Sequence, residues 1–263
     1  MPSAGQVDVW QPVRRELAHW GRAGRTARLW LRDDDATEDT QALRRYGELV
    51  ARHRAPVLLA IIPARATGGL ANYLANQPLF DPAVHGYAHA NHAKAGEKSQ
   101  EFPAHRGNDV IRAEITQGRQ RLTDLFGDRL TAVYVPPWNR ISPEVARLLP
   151  GLGFSALSTF GPRPLLGPGS SLCEINTHVD IIDWRGSRGG RAHDWLAREL
   201  AEQLALARKH GRSYVGLLTH HLVHDDGAWR FLELLLAFAA DEPALTWCRA
   251  SDLIGRGGAT EQT

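Results

Sequence analysis

Ala27-Arg28-Leu29-Trp30-Leu31-Arg32-Asp33-Asp34-Asp35 is the stretch that decides the fold class. Ala27 to Arg32 has the short apolar run of a strand, and three carboxylates follow at once. Adjacent carboxylates repel one another and lower stability unless a cation or solvent compensates them. One reading is the acidic first turn of a helix, with Thr37 or Asp39 as its cap. The other is a site at a strand end, where α/β proteins place their chemistry. The stretch taken alone leaves both open.

Outward from it, short apolar runs alternate with helical periodicity. Thr40 to His53 has a helical pattern, and Pro56 to Pro63 is a continuous apolar run of the kind a buried strand shows. Asn108 is a candidate N-cap for a helix to Phe126, with Gly127 as its stop. Further strands are expected at Leu130–Val135, Phe154–Ser158, Glu174–Ile182, Tyr214–Leu218 and Thr246–Cys248. Helices are expected at Ala192–His210 and Ala228–Ala240, and Gly161 to Gly169 is a Pro/Gly-rich loop. Such alternation predicts a parallel sheet covered by helices, open or closed into a barrel. Trp10, Val13, Leu17 and Trp20 recur at helical spacing, so residues 1–27 are expected to be an N-terminal helical extension. Residues 28–254 would form one catalytic domain, and 255–263 a flexible tail.

The 263 residues suffice for one α/β barrel domain. The formal net charge is only +2, with no long basic run, which argues against nucleic acid as a partner. Cys173 and Cys248 are the two cysteines. They are far apart and fit neither a disulfide framework nor a cysteine metal site. Met1 to Trp30 contains no signal or membrane-length apolar run, so a cytoplasmic location without membrane contact is expected. Nothing in the sequence sets the oligomeric state.

Four further clusters carry candidate chemistry. His85-Gly86-Tyr87-Ala88-His89 places two imidazoles four residues apart, a spacing that suits one cation. Val135-Pro136-Pro137-Trp138-Asn139-Arg140 is a stiff loop that aims Trp138 at a strand end. Asp180-Ile181-Ile182-Asp183-Trp184 is the next cluster. The last is Leu218-Thr219-His220-His221, where a strand-end His is a candidate proton donor. Each is also compatible with a structural role.

Together and in this order, from Leu29 to Leu253, the clusters resemble the motifs of the polysaccharide deacetylase family (the chitooligosaccharide deacetylase homology domain). The resemblance implies a distorted (β/α)7-type barrel of mostly parallel strands. It also implies a hydrolase that removes an N-acetyl or O-acetyl group from a sugar or related small amide. On that basis Asp35, His85 and His89 are the metal ligands. Zn2+ is the default ion, although iron, cobalt, nickel or manganese suit the same donors. Asp34 corresponds to the general base, His220 to the general acid and Asp183 to its orienting carboxylate. Trp138, Trp184, Pro137, Tyr87 and Leu218 would line the substrate.

The family's third motif has an Arg where this chain has Val135, and Arg140 or Arg32 is a candidate replacement. A one-residue shift would make Asp33 the base, and His221 competes with His220. Two alternatives stand beside the hydrolase. One is an inactive, metal-containing, carbohydrate-binding member of the family. The other is a two-His, one-carboxylate iron enzyme.

Overall fold

A computed structural model describes residues 8–254 except Pro168. The expected C-terminal tail therefore lies outside the described residues. In chain order the elements are α1 (Gln11–Arg22), β1 (Ala27–Ala36), α2 (Gln41–His53), β2 (Val57–Ile61), α3 (Gly68–Ala75), β3 (Phe80–His85), α4 (Asn108–Phe126) and β4 (Val133–Val135). They continue with α5 (Pro143–Ala146), β5 (Ala156–Leu157), β6 (Cys173–Glu174), β7 (Val179–Asp180), α6 (His193–Lys209), β8 (Tyr214–Thr219), α7 (Asp226–Asp241) and β9 (Leu245–Trp247).

The strands run β6-β5-β4-β3-β2-β1-β8-β7, every pairing parallel, with β9 added to the start of β1. The sheet curls into a partial barrel. Phe160 bridges Thr177 in the segments that follow β5 and precede β7. The fold is thus the distorted (β/α)7 type in one α/β domain.

Side chains alternate between the two sheet faces because a strand has a period of two. Leu29, Leu31, Val57, Leu59, Val84 and Tyr134 join the main core with the helices. Their neighbours Trp30, Leu58, Ala60, Ala83, Val133 and Val135 form a second cluster on the concave side, joined by Cys248 and Leu253. Gly216 admits the Trp30 indole there: a Cβ on it would sit 2.4 Å from Trp30 Nε1. With no side chain of its own, β8 lets the largest ring of the interior lie flat against it.

Several expectations change. The N-terminal helix is no appendage: Trp10, Val13, Leu17 and Trp20 are buried in the main core, and Glu16 pairs with Arg208 of α6 at 2.7 Å. The acidic run is the end of β1 rather than a helix turn, and the cap of α2 is Thr40, which accepts from Leu43 N at 3.0 Å. Asn108 is the first residue of α4, with Gly107 at the N-cap. The expected Glu174–Ile182 strand is split into β6 and β7 by Ile175-Asn176-Thr177-His178. β3 carries Pro82, whose missing N–H conceals a buried strand from sequence rules that confine Pro to edges.

Candidate metal centre and catalytic site

The three carboxylates of β1 go to three different places. Strand parity sets Asp33 on the helix-covered face. There its Oδ2 accepts from Thr219 Oγ1 at 2.7 Å and from His221 N at 2.9 Å, and its Oδ1 lies 2.5 Å from His221 Nδ1. Both side chains are fully enclosed. Burial alone would raise the Asp33 carboxyl, but the charge and hydrogen bond of His221 prevail and hold it below its ordinary value. Asp33 and His221 therefore form a structural pair behind the sheet.

Asp34 shares the concave face with Trp30 and Arg32. Arg32 lies two residues before it and is fully buried. It grips Asp34 through two parallel bonds, Nε to Oδ1 at 2.9 Å and Nη2 to Oδ2 at 3.0 Å. Its remaining donors reach Ser158 Oγ at 2.8 Å, the carbonyls of Ser158 and Thr159 at 3.0 and 3.1 Å, and Asn139 Oδ1 at 2.5 Å. A buried guanidinium is tolerated because its donor fork is fully used. Of the two candidate replacements for the motif-three Arg, Arg32 is the one that bonds Asp34. Arg140 instead donates to Ser99 O at 2.7 Å.

Asp35 follows a break in the β1–β2 register between Asp33 and Ala36, and its backbone has φ 74°. His85 ends β3. Its Nδ1 donates to Val135 O at 3.0 Å, which fixes the tautomer and presents Nε2 to Asp35 Oδ1 at 3.1 Å. His89 Nε2 lies 3.3 Å from the same oxygen. One ligand atom from each residue lies within 4.8 Å of the others. A single carboxylate oxygen facing two imidazole nitrogens is an arrangement that a cation satisfies better than protons do. Two imidazoles and a carboxylate form a donor set that suits a divalent transition ion with positions left open. Burial and the neighbouring His85 charge depress the His89 imidazole, favouring the neutral form that ligates.

The loop that delivers His89 is held by Glu101, which the sequence reading missed. This buried carboxylate accepts from Tyr87 N at 2.9 Å, Ala88 N at 2.7 Å and Ala90 N at 3.3 Å. Gly86, at φ 59°, could not be replaced there: a Cβ would meet Glu101 Oε2 at 2.0 Å and Pro137 Cγ at 2.5 Å. Asp35, His89, Trp138 and Asn139 all have positive φ. Such backbone is costly for residues other than glycine and gathers at functional sites.

The remaining expected residues divide. Trp138 packs on His89 with ring centroids 4.3 Å apart. Trp184, 40% exposed, stands edge-on to His220 at 4.7 Å. Pro137 is buried against Gly86, and Leu218 is buried level with Arg32. Tyr87 is half-buried and packs against the main core, its backbone held by Glu101 and Ala64. His220 follows β8 and its charge acts on Asp35.

Asp183 does not reach His220. It lies 3.4 Å from Arg191, and the turn at Gly186 and Arg188 folds back on it. Asp180, at the end of β7, is a carboxylate on which the His220 charge acts, and it holds the Trp184 indole that stands beside the His220 ring. Asp180 accepts from Ile182 N at 2.9 Å and from Trp184 Nε1 at 2.8 Å. Burial raises the Asp180 carboxyl, and the His220 charge is the largest opposing effect.

No family model and no curated protein match the chain. Solved structures do. A protein of Mycobacterium smegmatis described as a polysaccharide deacetylase superposes with TM-score 0.66 at 18% identity, over 84% of this chain and 78% of that one. A peptidoglycan N-acetylglucosamine deacetylase in complex with an N-hydroxybenzamide gives 0.57 at 16% identity, over 87% and 88%. A family 4 acetyl xylan esterase of Clostridium thermocellum with a cobalt ion gives 0.53 at 15%, over 86% and 89%.

Proposed function

From the premise that the chain has the polysaccharide deacetylase fold, we propose that it is a metal-dependent hydrolase that removes an acetyl group from an acetylated sugar. The observation that carries this is the convergence of Asp35, His85 and His89 on one point, with Asp34 and His220 at the same barrel mouth. Two of the solved neighbours act on N-acetylglucosamine of peptidoglycan and on acetyl xylan, so the acyl group is an acetamide or an acetate ester.

Asp35, His85 and His89 would hold the ion, zinc by donor type. When bound it supplies Lewis-acid polarisation of the acyl carbonyl and lowers the pKa of water. The protein's own groups do the rest. Each Asp34 oxygen keeps a lone pair beyond its bond to Arg32, so the carboxylate can take a proton from an attacking water while staying oriented. His220 hands a proton to the departing amine. Asp180 holds the Trp184 indole that stands edge-on to His220, and its charge would steady the imidazolium, the part first expected of Asp183. Trp138 and Trp184 form the apolar walls.

The inactive, binding-only alternative drew its support from Val135 in place of Arg. Arg32 holds Asp34 from its own strand, which supports the active reading. The test is acetate release from a panel of N- and O-acetylated sugars, before and after chelation and with metal restored. Release that needs the metal, and that falls about 100- to 10,000-fold in Asp34→Asn with its metal retained, is expected. Chelator-insensitive release, or none from any sugar, would overturn the proposal.

A further inference from the structure

Next to the catalytic mouth lies an open cavity of about 720 Å³, and Arg32 ties its wall to the site. The guanidinium that grips Asp34 also holds Asn139 Oδ1 and the Thr159 carbonyl, and both of those residues line the cavity. The cavity therefore begins one side chain away from the proposed base. Its lining carries three cations, Lys98, Arg140 and Arg163, against a single carboxylate, Glu97. Among the described residues none of the three cations takes part in an ion pair. Arg140 makes only the bond to Ser99 O, and Glu97 is turned to the Lys94 backbone N–H at 3.0 Å. Phe160, 45% exposed, adds an apolar surface to the lining.

Unmatched cations around a concave surface raise the local concentration of anions and bind them by charge-assisted bonds. Two net positive charges suit a phosphate monoester, which carries nearly two negative charges at neutral pH, better than a carboxylate with one. Resting on the deacetylase proposal for the adjoining site, we propose that the natural substrate is an acetylated sugar bearing a phosphate. The acetyl group would lie at the Asp35–His85–His89 centre and the phosphate between Arg140 and Arg163.

The test is calorimetric binding to the metal-loaded protein of three ligands built on one N-acetylated sugar: the neutral form, its phosphate monoester and a carboxylated analogue. The phosphate form should bind about tenfold tighter than the neutral one, the sum of a few solvent-rimmed ion pairs. That preference should shrink at high salt. It should vanish in Arg140→Gln/Arg163→Gln and persist in Arg147→Gln, which removes an Arg outside the cavity. If the double variant does not fold, Arg163→Gln alone serves, because that exposed side chain makes no hydrogen bond or ion pair among the described residues. Equal affinity for neutral and phosphorylated sugar, equal affinity for the carboxylate, or a preference that survives the double variant would each overturn the assignment. Acetate release is followed separately. Tight phosphate binding without release would count against the deacetylase reaction alone, and release without phosphate preference would count against the cavity alone.

Discussion

At the scale of single residues, a two-residue period sorts the chemistry of β1. Arg32 and Asp34 share the concave face, so a guanidinium is available to the base from its own strand. Asp33 faces the helices and is bound to His221. Of the choices left open in the sequence, this alternation sets Asp34 rather than Asp33 on the concave face, and it is His221 that is enclosed with Asp33 while His220 acts on Asp35. The information was present in Leu29, Leu31 and their polar neighbours. The Asp183 assignment was less legible, because the turn that carries Asp183 toward Arg191 depends on Gly186 and Gly189 packing that no spacing encodes. Removing the guanidinium should be severe. Arg32→Met leaves Asp34 buried and unpaired, and should lower unfolding free energy by about 3–5 kcal/mol. In a denaturation cycle, Arg32→Met/Asp34→Leu should recover much of that loss. Strict additivity of the two single losses would mean that the pair is not coupled.

At the scale of elements, the loop from Gly86 to Glu101 is the device that brings the His89 imidazole beside His85 and Asp35. The His spacing was readable, but the tether was not, since Glu101 sits in an otherwise polar run with no periodicity. β3 was hidden by Pro82, and the role of α1 was misjudged because amphipathic spacing tells that a helix has a buried face but not what covers it. Glu101→Gln would turn an N–H toward donors that need an acceptor. Its metal affinity, measured by competition with a chelator, should fall about 10- to 100-fold, as for other groups that orient ligands. Unchanged affinity would show that the loop is held by other means.

At the scale of the whole molecule, strand–helix alternation gave the layers and the parallel sheet. Closure of the barrel was not legible, because β5, β6 and β7 contribute only two paired residues each. Near that closing arc His178 is buried, and its Nδ1 accepts from Gly216 N at 3.0 Å. Burial, aided by Arg212, lowers it from 6.5 to about 3, and burial lowers His224 to about 4. Both imidazoles stay neutral in the fold while the unfolded chain takes up protons below about pH 6.5. The unfolded state then binds more protons, so stability falls as pH drops from about 6.5 toward 4. Replacing the imidazole in His178→Gln should flatten that slope by on the order of 1 kcal/mol per pH unit in urea titrations. An identical slope in the two proteins would contradict the burial of a neutral His178.

The central claim is that side chains from β1, β3 and the following loop form one cation site. Titration with cobalt(II), read by the visible spectrum of the ion and by metal content after gel filtration, tests it most directly. The account predicts one equivalent bound by the wild type, and loss of most of it in Asp35→Ala, His85→Ala and His89→Ala alike. One full equivalent with an unaltered spectrum in any of the three variants would contradict it.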